Sequence, residues 1–162
     1  MIRRAASLLL VLATVTSLSA CARRADVSGW LREAEAAHAD ADERLAQKDV
    51  AGAREALRSA AQAPVPEGAR AADARVVRQD LYYRWAMLEA DQGAPEEAVR
   101  VATEGLALGR GNDAFTANLE IVRGRAQESL GHAADASRDY HDALLVTEVL
   151  LDESLGTPER KP

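Results

Sequence analysis

The chain has 162 residues, 48% of them hydrophobic but only 4% aromatic, with 26 acidic against 20 basic side chains and a net charge of −6. That balance excludes an electrostatic grip on nucleic acid or on anionic lipid, both of which need a basic surface. The single cysteine excludes an internal disulfide, and abundant alanine with few β-branched runs points to an all-α fold.

The first element in chain order is a targeting signal. Arg3 and Arg4 make a positive start, and Ala5 to Leu18 is an apolar run of 14 residues. That suits a secretory signal and falls short of the roughly 20 apolar residues of a membrane span. It ends at Leu18-Ser19-Ala20-Cys21, which resembles the lipobox of bacterial lipoproteins. The resemblance implies cleavage before Cys21, thioether lipidation of its thiol and acylation of the new amino terminus. Ala22 after the cysteine, in place of Asp, implies the outer membrane of a two-membrane cell. Ala20-Cys21-Ala22 also reads as an ordinary A-x-A cleavage site that would release a soluble protein. With residues 1–20 gone, the body keeps 18 basic and 26 acidic residues, 18 − 26 = −8.

Six helices are expected in this body. The first spans about Trp30 to Lys48, with Ser28 or Asp26 as its cap. A second, Val50 to Ala63, stops at the connector Pro64–Gly68. The third runs from Ala69 to Gln92 and ends at Gly93, and Pro95 opens the fourth, which reaches Leu108. "GRGND" interrupts the chain, Asn112 or Asp113 caps the fifth helix to Leu130, and Gly131 turns it into the sixth, Ala133 to Glu153. The domain organisation is thus a signal peptide at 1–20, a lipidated linker at 21–29, a helical domain at 30–154 and a flexible tail at 155–162.

The even-numbered helices repeat a pattern. Ala53, Leu57 and Ala60 align with Ala98, Ala102 and Gly105, and with Ala136, Tyr140 and Ala143, so each triplet lies on one helix face. This resembles the tetratricopeptide repeat. The resemblance covers Trp30 to Leu151 and implies about three antiparallel helix hairpins stacked as a short solenoid. It makes Gly93 and Gly131 turn glycines, puts Lys48 at the equivalent place of the first pair, and makes Gly124 a close-contact glycine. Successive repeats are 45 and 38 residues apart, against a family period of about 34, so the superhelix would be irregular. A plain helical bundle fits the same pattern.

Catalytic chemistry has no foothold. His38, His132 and His141 lack metal-ligand spacing, and no nucleophile elbow or phosphate loop is present. His38 and Asp42, one turn apart, read as a solvated pair. No enzyme activity, metal or cofactor is expected. In the third helix, Val77, Leu81, Trp85 and Leu88 form a buried stripe, with Tyr83 and Met87 well away from it beside Asp80 and Asp91. In the family this opposite face lines a concave groove. Aligned on the turns, the resemblance adds Glu35, His38, Asp42 and Leu45 from the first helix, and Asn118, Ile121, Arg125 and Glu128 from the fifth. Such a groove is acidic with apolar footholds and suits a protein segment bearing Lys or Arg. Equally, Tyr83 and Met87 would pack on the neighbouring pair.

The last helix is apolar beyond one face. Leu144 and Leu151 are expected to continue the stripe of Tyr140, leaving Leu145, Val146 and Val149 as an interface for a partner or a second copy. The whole reads as a periplasm-facing lipoprotein scaffold for assembling an envelope complex of pilus, secretion or outer-membrane type. The alternatives are a recruiter of peptidoglycan-acting enzymes and a secreted helical binding protein.

Overall fold

The computed structural model describes residues 27–156. The stretch read as a signal, Cys21, Asp26 and the residues beyond Gly156 lie outside the described residues. Among the described residues the fold is all-α, with six helices and no strand. They are α1 (27–46), α2 (Val50–Gln62), α3 (Ala71–Asp91), α4 (Pro95–Ala107), α5 (Ala114–Ser129) and α6 (Ala133–Leu155). Five of these lie within about two residues of the spans expected, while α1 starts earlier, so Ser28 is inside the helix rather than its cap. The helical body therefore begins within the stretch read as linker, and α6 extends into the stretch read as tail.

The turns explain the pairing of helices. Lys48, Gly93 and Gly131 have φ of 63°, 73° and 78°, and Lys48 is the only described non-glycine residue in that region. Around each, the same two bonds close the helix end. Lys48 N, Gly93 N and Gly131 N donate to Leu45 O, Ala90 O and Glu128 O at 3.0, 3.1 and 2.9 Å. One residue on, Asp49 N, Ala94 N and His132 N donate to Arg44 O, Glu89 O and Gln127 O at 2.8, 2.9 and 2.9 Å. This is the Schellman arrangement, which satisfies carbonyls that a helix end leaves open. Each following helix then opens alike, with Ala53 N, Ala98 N and Ala136 N donating to the carbonyls of Asp49, Ala94 and His132. Three helix pairs, α1/α2, α3/α4 and α5/α6, thus share one turn.

The connectors between pairs differ. Pro64 to Gly68 forms one of them. In the other, Gly109 has φ of 122° and the Asp113 side chain caps α5 by accepting from Phe115 N and Thr116 N at 3.1 and 3.0 Å. Gln79, fully buried, clamps this loop: its Nε2 donates to Gly109 O at 2.8 Å and to Gly105 O at 3.2 Å, while its Oε1 accepts from Arg75. Arg75 also pairs with Asp113 at 2.6 Å. The α4–α5 loop is therefore fixed to α3.

Helix α3 lies at the centre, packing on α2, α4 and α5, and α4 packs on α5. Accordingly it is buried on more than the expected stripe. Leu81, Trp85 and Leu88 are in the core, but so are Tyr82, Ala86, Gln79 and Glu89, whereas Val77 is only half-buried. Trp85 anchors the interior, with Tyr82 stacked at 6.0 Å, the Arg100 guanidinium 5.3 Å over its ring, and its indole N–H donating to Glu89 at 2.8 Å. Glu89 is buried because Arg54 of α2 meets it with two bonds, 2.5 and 2.9 Å. Small residues let the helices close. A Cβ on Gly105 would lie 2.8 Å from Tyr82 Cβ and 2.9 Å from Leu119 Cδ1, and one on Gly124 would lie 2.8 Å from the Tyr140 ring.

In α6 the buried positions are Ala136, Asp139 and Ala143. The stripe is one place away from the expected one, so Leu144 and Leu151 are 58% and 55% exposed and do not cover α5. The cause is the paired Arg123 and Asp139, bonded at 3.0 and 2.5 Å, which fixes Asp139 against α5 and rotates the leucines outward.

Candidate functional site

The residues expected to line a groove come from α1, α3 and α5, and side-chain contacts join these helices along one face. His38 Nε2 of α1 lies 3.2 Å from Asp80 Oδ2 of α3. One turn further, Asp42 pairs with Arg84. Arg125 of α5 reaches the sulfur of Met87 at 3.9 Å. His38 and Asp42 thus have partners on α3 and do not form a pair of their own. Among the described residues, no group of three His, Cys, Asp or Glu side chains is placed to hold a metal.

Three recesses follow this face in succession. The first, about 280 Å³, is lined by Leu31, Ala34, Glu35, His38, Val76, Val77, Asp80 and Phe115. The second, about 360 Å³, is lined by Leu45, Leu57, Asp80, Tyr83, Arg84, Met87, Leu88 and Asp91. The third, about 460 Å³, is lined by Ala90, Asp91, Gly93, Pro95, Arg125, Ala126, Glu128 and Ser129. Asp80 is common to the first two and Asp91 to the last two, so the recesses adjoin. Nine expected residues, Glu35, His38, Leu45, Asp80, Tyr83, Met87, Asp91, Arg125 and Glu128, line them. Asp42 reaches the face through Arg84. Asn118 and Ile121 line none of the three; Ile121 is 40% exposed and Asn118 half-buried.

Tyr83 and Met87 both line the second recess and rest, half-buried, on the hydrophobic core. They are at once packing residues and groove floor. Around them stand five carboxylates, Glu35, Asp42, Asp80, Asp91 and Glu128, and two guanidiniums, Arg84 and Arg125. The bond from Arg84, then its charge, holds the Asp42 carboxyl below the usual carboxylate range. Glu128 accepts from the Tyr140 hydroxyl at 2.8 Å. Glu35 and Asp91 have no ion-pair partner among the described residues. Net negative charge with two unpaired acids favours a cationic ligand.

Sequence reasoning missed Arg84, Leu31 and Phe115. Each lay within reach of its own pattern, since Asp80, Arg84, Met87 and Asp91 step by four, three and four, Leu31 is one turn before Glu35 and Phe115 one turn before Asn118.

On α6, Leu145 and Val149 are 47% and 37% exposed, as expected, while Val146 is half-buried against the α4–α5 side of the molecule, where it lines a separate cleft with Leu145. Among the described residues no helix is long and apolar enough to cross a membrane. Compared with protein-family models, with curated proteins and with solved structures, the chain finds no match.

Proposed function

We propose that this chain is a lipid-anchored envelope scaffold whose helical body is a stack of three tetratricopeptide-like hairpins, and that it binds a protein segment bearing Lys or Arg rather than catalysing a reaction. The observation that carries the reading is the convergence of α1, α3 and α5 residues on one acidic, recessed face. Three helix pairs closed by the same backbone bonds, at the spacing of 45 and 38 residues, support the repeat. Contacts of α3 with α5, the first helices of successive pairs, support stacking. In this reading Cys21, at the end of the lipobox-like Leu18–Cys21 in the sequence, is the lipid attachment point. The pathway served is an envelope assembly process of pilus, secretion or outer-membrane type.

A photo-crosslinking residue placed at Tyr83 or Met87 in the living cell tests the binding face. Crosslinks from these positions, reduced severalfold by Asp91→Lys with Glu35→Lys at unchanged melting temperature, are expected. Equal crosslinking from an exposed position on α2 such as Ser59, with no response to the charge reversals, would remove the groove. Cys21→Ser tests the anchor separately and should abolish acyl incorporation and leave uncleaved precursor. An unlipidated mature protein would establish the secreted form instead.

A further inference from the structure

A cleft between the α4–α5 loop, α5 and α6 is lined by Glu120, whose Oε2 is the one buried side-chain atom, among the described residues, that has no hydrogen-bond partner in the protein. The Glu120 side chain is only 1% exposed. Its Oε1 lies 3.0 Å from Arg110 Nη1, and the same nitrogen donates to Asp142 Oδ2 at 3.0 Å. Gly111, Asn112 and Thr116 complete the polar wall, Leu145 and Val146 form an apolar lip, and the space measures about 240 Å³. Two carboxylates therefore face one guanidinium. Burial pushes the Glu120 carboxyl above its ordinary range; Arg110 and Arg123 oppose the shift, and Asp142 and Asp139 add to it. The cleft is short of a donor and short of positive charge, and folded proteins seldom keep a buried acceptor bare.

The geometry points to a site for the ammonium group of a lysine carried on an apolar protein segment. An ammonium offers three N–H donors and no acceptor, so it can meet Glu120 Oε2 and Asp142 together and brings no acceptor that would itself need a donor. With Arg110 already on Glu120 Oε1 and Asp142 Oδ2, the single bare oxygen suits a compact point charge better than a second guanidinium fork, which needs paired acceptors. Apolar residues flanking the lysine cover Leu145 and Val146, and beyond them Val149, which is 37% exposed. One ligand thus matches both halves of the cleft. None of its residues belongs to α1, α2 or α3, so the site stands or falls apart from the groove.

The test is calorimetric titration of the full chain in a neutral detergent with three probes. They are a short peptide of Leu and Val with one central lysine, the same peptide with norleucine in place of lysine, and n-butylammonium alone. The lysine peptide is expected to bind about tenfold tighter than the norleucine peptide, and also tighter than n-butylammonium, by the worth of a charge-assisted bond and of the covered lip. Glu120→Gln should reduce the lysine preference to less than about threefold. Should that variant not fold, Asp142→Asn at the rim should still reduce it. Equal binding of the two peptides, or binding of neither, overturns the proposal and leaves a buried water as the partner of Glu120. A preference unchanged in both variants overturns it by locating the lysine elsewhere. Binding of n-butylammonium as tight as the peptide would overturn the apolar segment in favour of a small free amine.

Discussion

Replacing Lys48 by glycine removes a Cβ from a left-handed backbone position, φ 63°, and is expected to stabilise the fold. A residue with a Cβ loses roughly 1–2 kcal/mol in that conformation, while glycine gives back about 0.5–1 kcal/mol through the greater freedom of the unfolded chain. The lysine side chain is exposed and has no packing to lose. The difference is a gain of about 0.5–1 kcal/mol, or roughly 1–4 °C in melting temperature for a domain of this size. The reciprocal changes work in the opposite sense. A Cβ on Gly93 or Gly131 would meet nothing within 4 Å, so Gly93→Ala and Gly131→Ala are opposed by the dihedral alone and should lose a similar amount. Urea unfolding followed by circular dichroism measures all three. If Lys48→Gly destabilises the protein, or the two alanine variants are neutral, the three turns are not equivalent and the pairing built on them is wrong.

Arg54→Ala leaves the Glu89 carboxylate, 1% exposed, with only the Trp85 indole, and should cost about 3 kcal/mol, the low end for a broken buried pair, because Arg54 itself is 39% exposed to water. A loss below about 1 kcal/mol in the same unfolding assay would show that Trp85 alone satisfies Glu89. Gly105→Ala should cost about 1–3 kcal/mol, since Tyr82 Cβ cannot move away, and Gly124→Ala less, since it meets the outer edge of the half-buried Tyr140 ring; equal losses would contradict this. Glu120 has a raised carboxyl pKa in the folded state, so below its ordinary value of 4.5 both states hold the proton and no penalty exists. As pH rises from there through the folded value, the unfolded chain ionises first and stability falls. Thermal unfolding across that window should show the fall in the wild type and a flatter profile in Glu120→Gln; parallel profiles would contradict the burial of this charge.

What was legible in the sequence follows from what leaves a local mark. Glycine, proline and capping residues fixed the helix limits because each acts within one turn of chain. The turn place at Lys48 was found by alignment with Gly93 and Gly131 even though lysine gives no local sign of a positive φ. Pairings across helices were not legible. Glu89, Gln79 and Glu120 look like surface residues in a linear reading, and only the approach of Arg54, the α4–α5 loop and Arg110 makes their burial possible. The same cause misplaced Leu144 and Leu151, because apolar character suggested burial while an Arg123–Asp139 bond decided the rotation of α6. Of the twelve residues expected on the groove face, eight of them through alignment of the turns, nine line the three recesses, while Arg84 left no mark because its place there depends on Asp42 of another helix.

The central place of α3 has a consequence for how the molecule opens. Its largest fully buried side chains include Trp85 and Leu81, and Leu57 and Leu119 come from the helices packed against it, whereas α6 buries only Ala136, Asp139 and Ala143. In α1 the buried side chains are Trp30 and three alanines. Alanine forfeits no rotamer freedom on burial but removes little surface from water, so α6, with no large buried side chain, is held more lightly than the middle, whereas Trp30 anchors α1. Amide exchange should therefore be slowest in α3 and faster in α6. Opening then starts by α6 lifting from α5, while the interior around Trp85 stays shut.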